Sequence, residues 1–170
     1  YKYIEVPTML PNNMFASATE GTENRMFELD DLTVLTPECT NYVRAMGKNR
    51  LGTDKVFYVA RCFRNETTTD SERLREFTQI GVELLGDNSL NCRKVVRRDA
   101  IRVFQEMLNS SSWTLDDEVE RGLNLYDQSG KTFEISSTKS SKQLLGGGPY
   151  DGGAGWALGL ERMMIAVNSQ

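Results

Sequence analysis

The stretch Phe77-Thr78-Gln79-Ile80-Gly81-Val82-Glu83-Leu84-Leu85 decides how this chain folds. Successive side chains of a strand point to opposite faces. Phe77, Gln79, Gly81 and Glu83 therefore share one face, and Thr78, Ile80, Val82 and Leu84 share the other. The second set is largely apolar and can pack on helices. The first places an aromatic ring, an amide and a carboxylate around a glycine, which leaves room for something. Such a face suits a sheet whose front wall binds a small polar ligand.

Working outward, Val56–Phe63 reads as a neighbouring strand. From Leu90 to Leu108, Leu90, Val96, Ala100, Ile101, Val103, Phe104, Met107 and Leu108 recur near a 3.6-residue period, so this segment is expected to be a helix. Its opposite face carries Arg93, Lys94, Arg97, Arg98 and Arg102, either a solvated face or a stripe that contacts phosphate. Asn109–Ser112 and Ser136–Ser141 are Ser-rich and read as loops. Thr132–Thr138 is a weaker strand. Gly153–Leu160 is a small-residue strand that runs into a short helix, Glu161–Val167. Strands, helix, strands and helix in that order, with hairpin-like neighbours, predict an α+β fold: an antiparallel sheet flanked by helices.

Composition narrows the chemistry. The 170 residues are 39% hydrophobic and 26% charged, which predicts one globular, soluble domain. No apolar run approaches the roughly 20 residues of a membrane span, and no signal-peptide pattern opens the chain. A cytoplasmic protein without membrane partners is expected. Cys39, Cys62 and Cys92 form no CxxC pair, which fits a reducing compartment and argues against a disulfide frame or a zinc site. The chain has no histidine. That removes Ser-His-Asp triads, imidazole bases and histidine metal ligands together. Chemistry must rest on arginine, lysine, carboxylates, hydroxyls or bound cations. A net charge of −4 argues against RNA binding by bulk electrostatics.

Three constellations stand out. Phe63-Arg64-Asn65-Glu66 and Arg73-Leu74-Arg75-Glu76-Phe77 flank a polar loop, with arginines at both ends suited to bidentate capture of phosphate or carboxylate. Phe77 is placed to stack on a purine, and Glu66 to accept from an exocyclic amine; the same segment also reads as a hairpin with surface ion pairs. In Gly155-Trp156-Ala157-Leu158-Gly159-Leu160-Glu161-Arg162, spaced glycines allow close approach, and Arg162 follows at a helix start that favours anions. Gly146-Gly147-Gly148-Pro149-Tyr150 reads as a tight turn that exposes a phenol. Gly130-Lys131-Thr132 is not a Walker A loop, because the earlier glycine is missing.

These segments resemble the class II aminoacyl-tRNA synthetases. The FRxE–loop–RxxxF arrangement is similar to motif 2, GWALGLER to motif 3, Thr36–Thr40 to the RPE-x-T segment, and Tyr3–Pro7 to the end of motif 1. Phe77–Gly86 resembles the FHQIGVEVFG of the histidyl enzymes. Arg121–Tyr126 with Gly146–Gly152 resembles their RGLDYY and GGGRYDG signatures. The resemblance implies ATP-dependent activation of histidine to histidyl-adenylate. By position, Arg64, Arg121 and Arg162 would be catalytic. Arg64 would meet the α-phosphate and the substrate carboxylate, Glu66 and Phe77 the adenine, and Arg73 or Arg75 with Arg162 the outer phosphates. Glu38, Thr40, Gln79, Glu83 and Arg121 would fix the amino acid, with Tyr126 and Tyr150 closing around the imidazole. ATP would bring Mg²⁺, held by no protein-only cage.

The resemblance further implies that residues 1–170 are a single catalytic core, lacking the insertion domain and the anticodon-binding domain. Asn124, Leu125 and Pro149 replace family Asp, Tyr and Arg, and Asp70 and Glu72 make the motif 2 loop acidic. Amino-acid activation with only weak engagement of tRNA is the expectation, and a homodimer stays open. A non-catalytic regulatory paralogue is the alternative, opposed by the retained Arg64, Arg121 and Arg162. A glycyl or threonyl specificity is another, opposed by Tyr126 and Tyr150.

Overall fold

The computed structural model describes residues 1–15, 26–108, 112–119, 131–140 and 142–168. Seven strands form one sheet: β1 (Lys2–Tyr3), β4 (Lys55–Phe63), β5 (Glu76–Leu85), β6 (Trp113–Val119), β7 (Thr132–Ser137), β8 (Gln143–Tyr150) and β9 (Gly153–Gly159). Their spatial order is β1-β4-β5-β9-β8-β7-β6. A two-stranded ribbon of β2 (Met9–Pro11) and β3 (Thr33–Leu35) stands apart. The helices are α1 (Thr40–Leu51), α2 (Ser89–Met107) and α3 (Leu160–Asn168).

All pairings in the large sheet are antiparallel except β1 with β4, which is parallel. The sheet is therefore mixed. Parallel neighbours need a long crossover, and the chain between β1 and β4 contains β2, β3 and α1.

The back face holds the main core. Val82 and Leu84 of β5, Trp156 and Leu158 of β9, Leu145 of β8, and Phe133 and Ile135 of β7 pack on Val96, Ala100 and Phe104 of α2. Fully burying each large apolar side chain is worth about 1.5–3 kcal/mol, so this face supplies most of the drive to fold. The Asn88 carboxamide caps α2 by accepting the Asn91 N–H. On the front, Val56, Tyr58, Ala60 and Cys62 of β4 pack with Cys39 and Val43 beside α1. The front of β5, β9 and β8 is left for the site.

Three expectations change. Ser136 and Ser137 close β7 and are not loop; the turn begins at Thr138. Gly146–Tyr150 is the second half of β8 and not a turn. Its hydrogen-bonding neighbour β9 carries it through, and Pro149 lies beyond the last pair with β7, so no ladder bond is lost there. The arginine stripe of α2 is partly neutralised. Asp117 of β6 takes Arg93 at 3.2 Å and also pairs with Arg97, which lowers the Asp117 pKa. Arg93 also donates to the Lys131 and Asp117 carbonyls. A guanidinium so engaged is a clamp on β6 before it is a phosphate contact.

Candidate active site

Directly opposed residues of antiparallel strands share a face. One row runs Tyr58, Gly81, Ala157, Gly146. A second runs Val56, Glu83, Gly155, Gly148, and a third Ala60, Gln79, Gly159. Across β5, β9 and β8 these rows carry just three side chains: Gln79, Glu83 and Ala157. The result is a trough floored by backbone. Two glycines are required by close approach. A Cβ on Gly81 would overlap the Tyr58 ring. A Cβ on Gly155 would overlap the Glu83 carboxylate and sit 2.7 Å from the Val82 carbonyl oxygen. The space read beside Gly81 is thus filled by a tyrosine from the next strand.

One cleft gathers Glu38, Thr40, Arg64, Glu66, Arg73, Phe77, Gln79 and Arg162. Arg64 donates through Nε to the Pro37 carbonyl at 3.1 Å, and its guanidinium lies 5.0 Å from the Phe77 ring centroid. Arg162 donates to the Glu72 carbonyl at 2.6 Å and the Gln143 carbonyl at 3.0 Å. Burial lowers the Arg162 pKa, and the nearby Arg64 and Arg73 charges lower it further. Like charges gathered in a half-buried cleft are stabilised by an anion, so this end suits phosphate. Arg75 is exposed and does not line the cleft; its Nε holds the Glu66 carbonyl at 2.9 Å.

The other end is closed. The Glu38 carboxylate accepts the N–H of Thr40 at 2.7 Å and of Asn41 at 3.1 Å, capping α1, while burial raises its pKa. Behind it, Glu83 accepts from the Thr40 hydroxyl at 2.8 Å and the Tyr150 hydroxyl at 2.7 Å. Glu83 is fully buried, and its carboxyl is pushed up to about 8. Burial is the main cause; Glu38 adds to it, and the two hydroxyls pull the other way. Tyr150 is only 1% exposed, with the Arg44 guanidinium 5.4 Å from its ring centroid. The expected exposed phenol is corrected: β8 carries Tyr150 inside, and the chain turns only at Asp151–Gly152, where Gly152 adopts φ 87°. Glu83 and Tyr150 are thus the wall behind Thr40 and Gln79, not part of the open cleft. Arg121 and Tyr126 lie outside the described residues.

Sequence reasoning missed three residues. Glu72, read as part of an acidic loop tip, lines the cleft and accepts from the Ser140 hydroxyl at 3.0 Å. Gln143 lines the opposite wall. Glu161 accepts the Thr78 N–H at 2.8 and 3.0 Å, where the ladder between β5 and β9 ends at Gln79 and Gly159. Its place before Arg162 was the available signal. Among the described residues, no three His, Cys, Asp or Glu side chains come together to hold a metal.

Known proteins converge on the same description. Residues 49–144 match the family described as tRNA synthetases class II (D, K and N). The ATP phosphoribosyltransferase regulatory subunit of Geobacillus thermodenitrificans is 33% identical over 98 residues, 53% of this chain and 25% of that protein. The histidine–tRNA ligase of Mycoplasmopsis synoviae is 35% identical over 98 residues, 51% of this chain and 20% of that protein. The match therefore spans a quarter or less of these relatives. The pyrrolysyl tRNA synthetase PylSc of Desulfitobacterium hafniense superposes with a TM-score of 0.75 at 20% identity, over 100% of this chain and 62% of that one. Apo S. aureus histidyl-tRNA synthetase gives 0.72 at 22%, over 99% and 60%. With the fold and more than half of the sequence in agreement, the chain belongs to the class II tRNA synthetase family.

Proposed function

We propose that the cleft binds ATP and histidine and joins them as histidyl-adenylate. One observation carries this reading: Arg64, Glu66, Arg73, Phe77, Gln79 and Arg162, drawn from a strand, the loop before it and a helix, line a single cleft. A histidine carboxylate oxygen attacks the α-phosphorus, and the bond to the bridging oxygen breaks to release pyrophosphate. No protein nucleophile is required. The chain contributes positioning and positive charge. Arg64 orients the carboxylate and α-phosphate, Arg73 and Arg162 hold the outer phosphates, and Glu66 and Phe77 take the adenine. Glu38 and Gln79 address the substrate's amino group. Arg121 and Tyr126 are assigned to the α-phosphate and the imidazole by resemblance. Mg²⁺ prefers phosphate oxygens and water, so it would enter on ATP. Transfer to tRNA would follow in a cytoplasmic setting, weakly, because the acidic Asp70 stands on the loop where an acceptor end would dock.

A second reading has an observation of its own. Arg162 is held by two backbone carbonyls, and Glu83 by two hydroxyls, as in a site that keeps its shape without turnover. The matched regulatory subunit belongs to this reading. Amino-acid-dependent exchange of pyrophosphate into ATP separates the two. Exchange stimulated by histidine above the other amino acids is expected. Histidine binding without exchange would establish the regulatory reading, and exchange with another amino acid would reassign the specificity.

A further inference from the structure

Two nucleophilic side chains that the proposed reaction does not use meet beside the cleft. The sulfurs of Cys39 and Cys62 lie 3.7 Å apart, and both residues are fully buried. They belong to segments 23 positions apart that run side by side. The Phe63 N–H donates to the Thr36 carbonyl at 2.8 Å, and Arg64 Nε to the Pro37 carbonyl at 3.1 Å. Cys92 sits apart, in the back-face core.

The pair touches the closed end of the cleft from two sides. Cys39 lies between Glu38 and Thr40, which both line it. Cys62 donates its S–H to the Gln79 amide oxygen at 3.6 Å, and Gln79 lines it too. Apolar residues would fill this space as well. Two thiols already in contact can also bond, by losing two hydrogens.

We propose that Cys39 and Cys62 are a redox modification site, where a small peroxide forms a disulfide that weakens substrate binding at the closed end of the cleft. Cys62 Sγ attacks one peroxide oxygen, the O–O bond breaks, and the thiol becomes a sulfenic acid with release of water. Cys39 Sγ then attacks the Cys62 sulfur, and the hydroxyl leaves with the Cys39 proton as a second water. Two thiols are oxidised and one peroxide is reduced. The hydrogen bond with Cys62 and then burial raise the Cys39 pKa, so Cys39 acts second. Complete enclosure excludes a bulky oxidant such as oxidised glutathione, whereas a peroxide is little larger than water.

The bond would reshape this end. Closing 3.7 Å to the roughly 2.05 Å of a disulfide requires one sulfur to move. Cys62 is held in the β4–β5 ladder opposite Phe77, so the movement falls on Cys39 at the start of α1. Glu38 and Thr40 move with it, and the Thr40 hydroxyl is drawn from its 2.8 Å bond to Glu83. A disulfide sulfur has no hydrogen to donate, so Gln79 loses its partner. The linkage stands on geometry alone; its effect on substrate rests on the histidine-activation reading.

The test compares the full chain treated with hydrogen peroxide and with dithiothreitol. Non-reducing peptide maps of the peroxide-treated chain should join Cys39 to Cys62 with loss of two hydrogens, leave Cys92 free, and revert with dithiothreitol. By calorimetry, histidine affinity should fall about 10- to 100-fold on oxidation, the scale of a misplaced positioning group. ATP affinity should hardly change. Cys39→Ala and Cys62→Ala should each bind histidine alike before and after peroxide, and Cys92→Ala should respond as the wild type does. No linkage, linkage through Cys92, or oxidation only to sulfinic acid overturns the site. A Cys39–Cys62 bond that leaves histidine affinity unchanged overturns its link to the cleft. If the reduced chain binds ATP but not histidine, the proposed function falls, and the peptide map alone decides the modification site.

Discussion

The two faces of the central sheet are built from the same strands by opposite rules. Behind β5 and β9, every inward position is filled: Val82, Leu84, Trp156 and Leu158 press on α2. In front, the same strands offer Gly81, Gly155 and Gly159 beside Gln79 and Glu83. Stability is concentrated where side chains are large, and the site lies where they are withheld. The faces should therefore respond oppositely to a change in volume.

The sharpest break comes from the back. Phe104 is fully buried in α2, 5.9 Å from the Trp113 ring. Phe104→Ala should cost about 3–5 kcal/mol by chemical denaturation. Ligand affinities, measured where the variant is still folded, should hardly move. A loss of histidine affinity matching the loss of stability would show that the faces are not separable.

The front face supplies a pH test. The folded-state pKa of Glu83 is about 8, above its ordinary 4.5. The folded state thus holds a proton that the unfolded chain releases. The contribution is fully present below about pH 4.5 and is lost as pH rises through about 8. Wild-type stability should fall by roughly 3 kcal/mol between pH 5 and 8 from this group. Glu83→Gln should flatten most of that slope, and an unchanged slope would place the titration elsewhere, with Glu38 the next group to test.

The smallest effect on stability should come from adding one methyl to the floor. Gly155→Ala should cost about 1–3 kcal/mol as Glu83 is pushed from its hydroxyl partners. Amino-acid binding should suffer more than stability does. If binding survives, the floor is not where the substrate lies.

The sequence showed one side of this contrast better than the other. Alternation along Phe77–Leu85 assigned both faces of β5, because period-two patterning survives without knowledge of neighbours. What fills the space over Gly81 was not legible, since Tyr58 lies 23 positions earlier and reaches it only through strand register. Gly146–Tyr150 misled for a related reason. Glycine and proline usually punctuate turns, but here the glycines clear the trough and β9 supplies the pairing that local propensity does not. β6 escaped notice because Asp116-Asp117-Glu118 obscures an alternation of half-buried Trp113, Leu115, Asp117 and Val119 with exposed neighbours. The arginines of the cleft were readable from motif spacing, whereas the inward turn of Glu72 depends on its contact with Ser140, far along the chain.

The backbone floor has a thermodynamic consequence as well as a steric one. A pocket lined by long side chains must freeze their rotamers when a ligand arrives, at about 0.5–1.5 kcal/mol for each one immobilised. Gly81, Gly146, Gly148, Gly155 and Gly159 have no rotamers to freeze. Their disorder is lost earlier, when the sheet forms, and glycine loses more backbone freedom on folding than any other residue. The trough is thus set before ligand arrives, and the ordering cost appears as reduced stability of the free protein rather than as weakened binding.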